Sequence, residues 1–156
     1  MRQMPSPSPD ITKQLEAIFP SAGASLRNPF DVASPFVPVS SFKRVLETLL
    51  SWHEIDALIV ERIFLYETGP ITGMTDIDPE KRAEVLVDAK RKFNKPIIVI
   101  LDEMATDTNT ADVEMSRIKA RSSFVKSGIS VFPTLDRAVK ALSHICAYYE
   151  NTTVSQ

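Results

Sequence analysis

The segment KPIIVILD, residues 95–102, constrains the fold more than any other part of the chain. From Ile97 to Leu101 it is apolar without interruption and mostly β-branched. That pattern suits a strand buried on both faces and leaves no polar side for water. A strand of that kind needs helices above and below it. The run IDALIVERIFLY predicts a second buried strand from about Ala57 to Ile63, and ISVFP a short third one.

Helical patterns separate these runs. DITKQLEAIF places Ile11, Leu15, Ile18 and Phe19 on one face, with Asp10 as the expected N-cap and Pro20 as the stop. SSFKRVLETLLSW repeats apolar residues at Phe42, Val45, Leu46, Leu49 and Leu50, with Ser40 or Ser41 able to cap it. DPEKRAEVLVDAKRKF reads as Asp78 at the cap, Pro79 at the first helical position and Glu80 in the first turn. Its Lys90, Arg91 and Lys92 then lie toward the negative end of the helix dipole. A further helix spans about Thr110 to Lys126 and stops at Gly128. TLDRAVKALSHICAYYE closes the ordered region, capped by Thr134. The expected organisation is a disordered Pro/Ser lead-in over 1–9, one domain over 10–150 and a frayed tail over 151–156.

From Ser40 onward the order is αβαβαβα, which calls for a parallel sheet between helical layers. A doubly wound sheet of flavodoxin type has about five strands. Three are legible here, so the expected fold is a three-layer αβα, flavodoxin-like sheet that is N-terminally truncated.

Composition narrows the function classes. The 156 residues are 44% hydrophobic and 24% charged with a net charge of −2, so no global basic field draws the chain to nucleic acid or anionic lipid. No apolar run is long enough to span a bilayer, and MRQMPSPSPD has no signal-peptide core. The single cysteine, Cys146, has apolar neighbours and reads as a small buried hydrophobe. A cytoplasmic location is the default expectation.

Several constellations carry chemistry or its absence. In LRNPFDVAS, Pro29 pushes Asn28 out of the helical region, so that Asn28 and Asp31 can bond nearby backbone and build a rigid polar elbow. That elbow reads equally as structural or as ligand-lining. GPITGMT, residues 69–75, follows a strand and precedes a helix, where ligands of open parallel sheets bind. It lacks a Walker lysine, and GxGxxG is absent from the chain. His53 and His144 sit in different elements without metal-ligand spacing and read as structural or surface residues. Asp102 and Glu103 stand just past a strand end. Mg²⁺ coordination or acid–base work is open to them, and solvated loop charge is the plainer reading. Trp52, Tyr148 and Tyr149 read as packing residues.

The ordered series Phe19-Pro20, Asn28-Pro29-Phe30-Asp31, Asp56-Ala57, Gly73-Met74-Thr75, Lys95-Pro96, Gly128-Ile129 and Arg137-Ala138-Val139 resembles ADP-forming acyl-CoA synthetases. These are the acetate–CoA ligase relatives of succinyl-CoA synthetase. The similar region is their flavodoxin-like ligase domain, and it covers nearly all of Asp10 to Glu150. The family domain opens with a strand, a Gly-Gly-Pro-Gly turn and a helix that have no counterpart in this sequence. The domains that bind CoA, carry the phosphohistidine and grasp the nucleotide have none either. The resemblance therefore implies a fragment or subunit of an acid–thiol ligase. The whole enzyme would convert acyl-CoA, ADP and phosphate to carboxylate, CoA and ATP, with Mg²⁺. This chain would bind no cofactor dependably by itself and would have no catalytic residue of its own. Asn28, Pro29, Asp31, Thr72, Gly73, Met74 and Thr75 would line ligand, and CoA-binding and ATP-grasp subunits would be its partners. The alternative is a non-catalytic binding or assembly module on the same scaffold, able to form homo-oligomers through an unpaired sheet edge.

Overall fold

A computed structural model describes residues 4–19, 23–32, 37–61, 79–101 and 111–153. Along these the order is α1 (Pro9–Glu16), α2 (Val39–Ser51), β1 (Leu58–Glu61), α3 (Pro79–Phe93), β2 (Ile97–Ile100), α4 (Ala111–Lys126), β3 (Ser130–Phe132) and α5 (Leu135–Thr153). The strands form one parallel sheet in the order β1-β2-β3. Val60, Val99 and Val131 stand in one row across it. Among the described residues the chain is thus an α/β protein with a three-stranded parallel sheet, as the αβ alternation requires.

Helix ends follow local chemistry, with two departures from expectation. Ser8, not Asp10, caps α1 by accepting from the Ile11 amide. Pro9 takes the first helical position, where its missing N–H costs nothing, and this moves the cap one residue ahead of it. Helix α2 starts at Val39 after Pro38 and has no side-chain cap, so Ser40 and Ser41 lie inside its first turn. What fixes this start is Arg82 of α3, whose guanidinium donates to the Val37 carbonyl and lies 6.0 Å from the Phe42 ring centre. Asp78 falls outside the described residues.

The later helices end as their sequences prescribe. Asn94 closes α3 at φ 51°, its amide bonded to the Lys90 carbonyl at 3.1 Å. Helix α4 ends in a Schellman motif around Gly128 at φ +73°. There the Ile129 amide donates to Phe124 at 2.9 Å and the Gly128 amide to Val125 at 3.1 Å. Ile129 and Phe124 are both buried in the core, which supplies the apolar contact of that motif. Thr134 caps α5 through the Arg137 amide. That helix runs on to Thr153, past the expected end at Glu150.

Side-chain alternation along the strands sorts the core into two faces. Leu58, Val60, Ile97, Val99, Leu101 and Val131 point to one side, where Leu46 and Leu50 of α2, Leu86 and Val87 of α3, and Ala120 and Phe124 of α4 cover them. Ile59, Ile98, Ile100 and Phe132 point to the other side and meet Ala138 and Leu142 of α5. A third cluster joins α1 to α2 through Ile11, Leu15, Val45, Leu49, Trp52 and Ile55.

Helix α5 outruns the sheet beneath it. At 1.5 Å per residue its 19 residues extend roughly 28 Å, against roughly 13 Å for a four-residue strand. Ala138 is fully buried, yet Ile145 is 55% exposed and Tyr148 and Tyr149 are each 65% exposed. The two tyrosines stack edge to face on each other at 5.5 Å. The expectation that they pack into the core is therefore corrected: they lie beyond the ends of the strands that would have covered them. Cys146 is likewise only partly buried.

Gly128 allows a clean test of backbone strain, because a Cβ there meets nothing within 4 Å. Gly128→Ala is expected to destabilise the fold by about 1–2 kcal/mol, the cost of a left-handed conformation alone. Urea unfolding measures it, and Gly128→Asn is expected to lose less.

Candidate functional site

The Asn28–Asp31 elbow is a small closed hairpin. The Ser25 amide donates to the Asp31 carbonyl at 2.7 Å and the Asp31 amide to the Ser25 carbonyl at 2.9 Å. Between them the Asn28–Pro29 peptide is cis. Leu26 and Phe30 turn inward, Phe30 packing at 6.1 Å against the Phe19 ring. Leu58, the first residue of β1, belongs to the same cluster, as do Trp52 and Ile55 just before it. The elbow thus sits at the amino end of β1, braced against α1 and α2.

The Asn28 side chain does not bond nearby backbone as expected. Its amide donates 3.2 Å to the Pro5 carbonyl, twenty-three positions earlier, and so fastens part of the lead-in that the sequence marked as disordered. Thr72, Gly73, Met74 and Thr75 lie outside the described residues, as do Asp102 and Glu103. His53 is exposed, 3.9 Å from Glu54, and His144 is exposed on α5. Among the described residues no group of three or more His, Cys, Asp and Glu side chains is placed to hold a metal ion. Nor is any described helix long and apolar enough to cross a membrane.

The described residues form two shallow hollows. A groove of about 320 Å³ between α1 and α2 is lined by Gln14, Ala17, Ile18, Arg44, Glu47 and Thr48. A smaller pocket of about 70 Å³ lies where α4 passes the end of β2, lined by Leu101, Glu114, Arg117, Ile118 and Arg121. Neither is lined by Asn28, Pro29 or Asp31.

The smaller pocket holds chemistry that the sequence reading passed over. Arg117 is only 5% exposed. Its Nε lies 3.5 Å from Glu114 Oε2, close enough for an ion pair, but both atoms are buried without a hydrogen-bond partner. Burying a charge costs several kcal/mol per ion unless hydrogen bonds restore what water supplied. Arg117 therefore holds a cation at a loss that its neighbour only partly offsets. The signal was available in the spacing: Arg117, Ala120 and Phe124 share one helical face, and the latter two are core.

Along the larger groove, Lys92 of α3 donates 2.8 Å to Glu47 of α2. That hydrogen bond, with the charges of Lys92 and Lys43, holds the Glu47 carboxyl below its ordinary value of 4.5 despite some desolvation. A depressed carboxylate stabilises the fold above its unfolded pKa, and the contribution fades as pH falls through the lower folded value. Both side chains are more than a third exposed, so the coupling is expected to be about 0.2–1 kcal/mol near neutral pH. A Glu47→Gln, Lys92→Met double-mutant cycle measures it, and it should vanish well below pH 4.5.

Removing one partner of the Arg117–Glu114 pair and removing both have opposite expected signs. Arg117→Met alone strands the buried Glu114 Oε2 and is expected to destabilise the fold, by about 3 kcal/mol. Arg117→Met with Glu114→Leu removes the pair, and stability is then expected to hold or rise by about 1–4 kcal/mol, measured by chemical denaturation. No protein-family model, no curated protein and no solved structure matches this chain.

Proposed function

We propose that this chain is a non-autonomous module of an ADP-forming acyl-CoA ligase, contributing one wall of the site and a subunit interface. The observation that carries the reading is the sheet. Its three parallel strands run in sequential order, as strands three to five do in the flavodoxin-like order 2-1-3-4-5. In that order the first strand would lie beside β1. Among the described residues β1 has no strand on its outer side.

The two faces support the same reading. Helices α2, α3 and α4 crowd one face, while α5 alone among the described helices covers the other. A strand beside β1, followed by a helix beside α5, would complete both layers. The ligand-lining candidates fall in two places, Asn28, Pro29 and Asp31 at the amino end of β1 and the segment Thr72–Thr75 after it in sequence. The elbow would serve the subunit interface, and Thr72–Thr75 the site to which CoA-binding and ATP-grasp partners supply CoA, ADP or ATP, phosphate and Mg²⁺. The phosphohistidine would come from a partner, since neither His53 nor His144 sits in a glycine-rich loop. The same open edge without the chemistry gives the alternative, a non-catalytic assembly module that pairs with another chain or with a second copy.

One pair of measurements separates these. Acyl-CoA-dependent ATP synthesis is expected to be absent from the isolated chain and to appear on adding a protein that carries a CoA-binding domain and a phosphohistidine loop. Turnover by the chain alone would overturn the ligase-module reading. Sedimentation tests the alternative: a homodimer without any response to CoA, ADP or phosphate favours the assembly module.

A further inference from the structure

We propose that the outer face of α4 pairs with the same face of a second copy of this chain, the two helices lying antiparallel about a two-fold axis. The inference stands on α4 alone and does not rest on the ligase reading.

The spacing of the exposed residues carries it. Ala120 and Phe124 turn α4 toward the core, yet Met115, Ile118 and Val125 are 55%, 55% and 62% exposed. With the exposed Ser122 they occupy positions 115, 118, 122 and 125, a 3-4-3 step that keeps all four in one row. The row runs roughly 15 Å along the side of α4 turned away from Phe124. Such a step is what one helix presents to another, side chains of each entering the gaps of its neighbour. Ser122 leaves a shallow place in the row, and Met115 is a long, adaptable side chain able to fill it. In an antiparallel pair centred near Ile118, Met115 of each copy meets Ser122 of the other.

Charge sets the direction and makes a second copy the fitting occupant. By sequence α4 is acidic where it starts, at Asp112 and Glu114, and basic further on, at Arg117, Lys119, Arg121 and Lys126. The connection 102–110 places Asp102, Glu103 and Asp107 ahead of the acidic end. Antiparallel pairing sets each acidic end beside the basic end of the other copy, twice over, and opposes the two helix dipoles. Parallel pairing would set like against like. Glu114 and Arg121 flank the row on one side, so the axis that joins Met115 to Ser122 also brings Glu114 of each copy alongside Arg121 of the other.

Position and size agree. Helix α4 packs on α3 and β3, so this face is distinct from the open β1 edge. The connections 62–78 and 102–110 join strand ends to helix starts at the carboxyl edge of the sheet, whereas the row runs from there to Val125 at the opposite edge. Three apolar side chains per copy bury less than the ~1,200 Å² at which stable interfaces begin, so the dimer is weak, with a Kd of about 10 µM to 1 mM.

Sedimentation equilibrium of the full chain across that concentration range is expected to show monomer and dimer in exchange. Ser122→Arg, an exposed change to a better helix former, fills the shallow place and is expected to weaken the dimer about tenfold or more. Ile118→Glu is expected to do the same by setting a charge in the apolar row. Far-ultraviolet ellipticity checks that each variant is folded. Direction is read by a short bismaleimide in chains that also carry Cys146→Ser. Met115→Cys mixed with Ser122→Cys is expected to cross-link more than either does alone. A chain that stays monomeric throughout, a dimer that either folded variant leaves unchanged, or self-linking of Met115→Cys above that of the mixed pair overturns the proposal.

Discussion

The rest of the structure depends on β2. All four of its residues are apolar and buried, so the strand cannot exist with either face open to water. Its two sets of side chains make opposite demands. Ile97 and Val99 require the α2, α3 and α4 layer, and Ile98 and Ile100 require α5. Parallel pairing follows, because each neighbouring strand must return to the same end of the sheet through a covering helix. That α3 and α4 lie on one face is what two successive crossovers of the same hand produce in a sheet growing in one direction.

Burial declines outward from that strand. Glu61 is exposed at the end of β1, and Ser130 at the start of β3. The flanking strands therefore borrow their stability from the central one. They gain less apolar contact than β2, at roughly 25 cal/mol for each Å² removed from water. Much of the remaining order is cross-bracing between helices. Arg82 ties α3 to the approach of α2, Lys92 ties α3 to Glu47, and Lys95 donates 2.8 Å to the Trp52 carbonyl at the end of α2. Long basic side chains on α3 and just beyond it fasten the helix that precedes the first strand.

What could be read from the sequence was what depends on near neighbours. KPIIVILD was legible because its burial is written in consecutive residues, and Gly128 and Thr134 because caps are local chemistry. The α1 cap was misplaced at Asp10, because the preference of Pro9 for the first helical position, which moves the cap to Ser8, was overlooked. Contacts across the fold were not legible: nothing near Asn28 announces Pro5 as its acceptor, nor Val37 as the acceptor for Arg82. Arg117 was obscured because α4 carries apolar residues around much of its circumference, with Met115, Ile118 and Val125 exposed, so the core-facing stripe has no clear edges. Tyr148 and Tyr149 were misjudged because their helical period is that of core residues, while strand length decides where a core stops. Of the candidate site, the elbow is placed and the Thr72–Thr75 half lies outside the described residues.

The only tryptophan has a practical consequence. Trp52 is 4% exposed and lies in the seam between α1 and α2, not in the sheet core built around β2. Its emission colour thus watches the brace around the elbow, while far-ultraviolet ellipticity watches the helices as a whole. If the seam opens before the sheet melts, the two optical curves part company. The chain then carries its own indicator of whether it comes apart in one step or two.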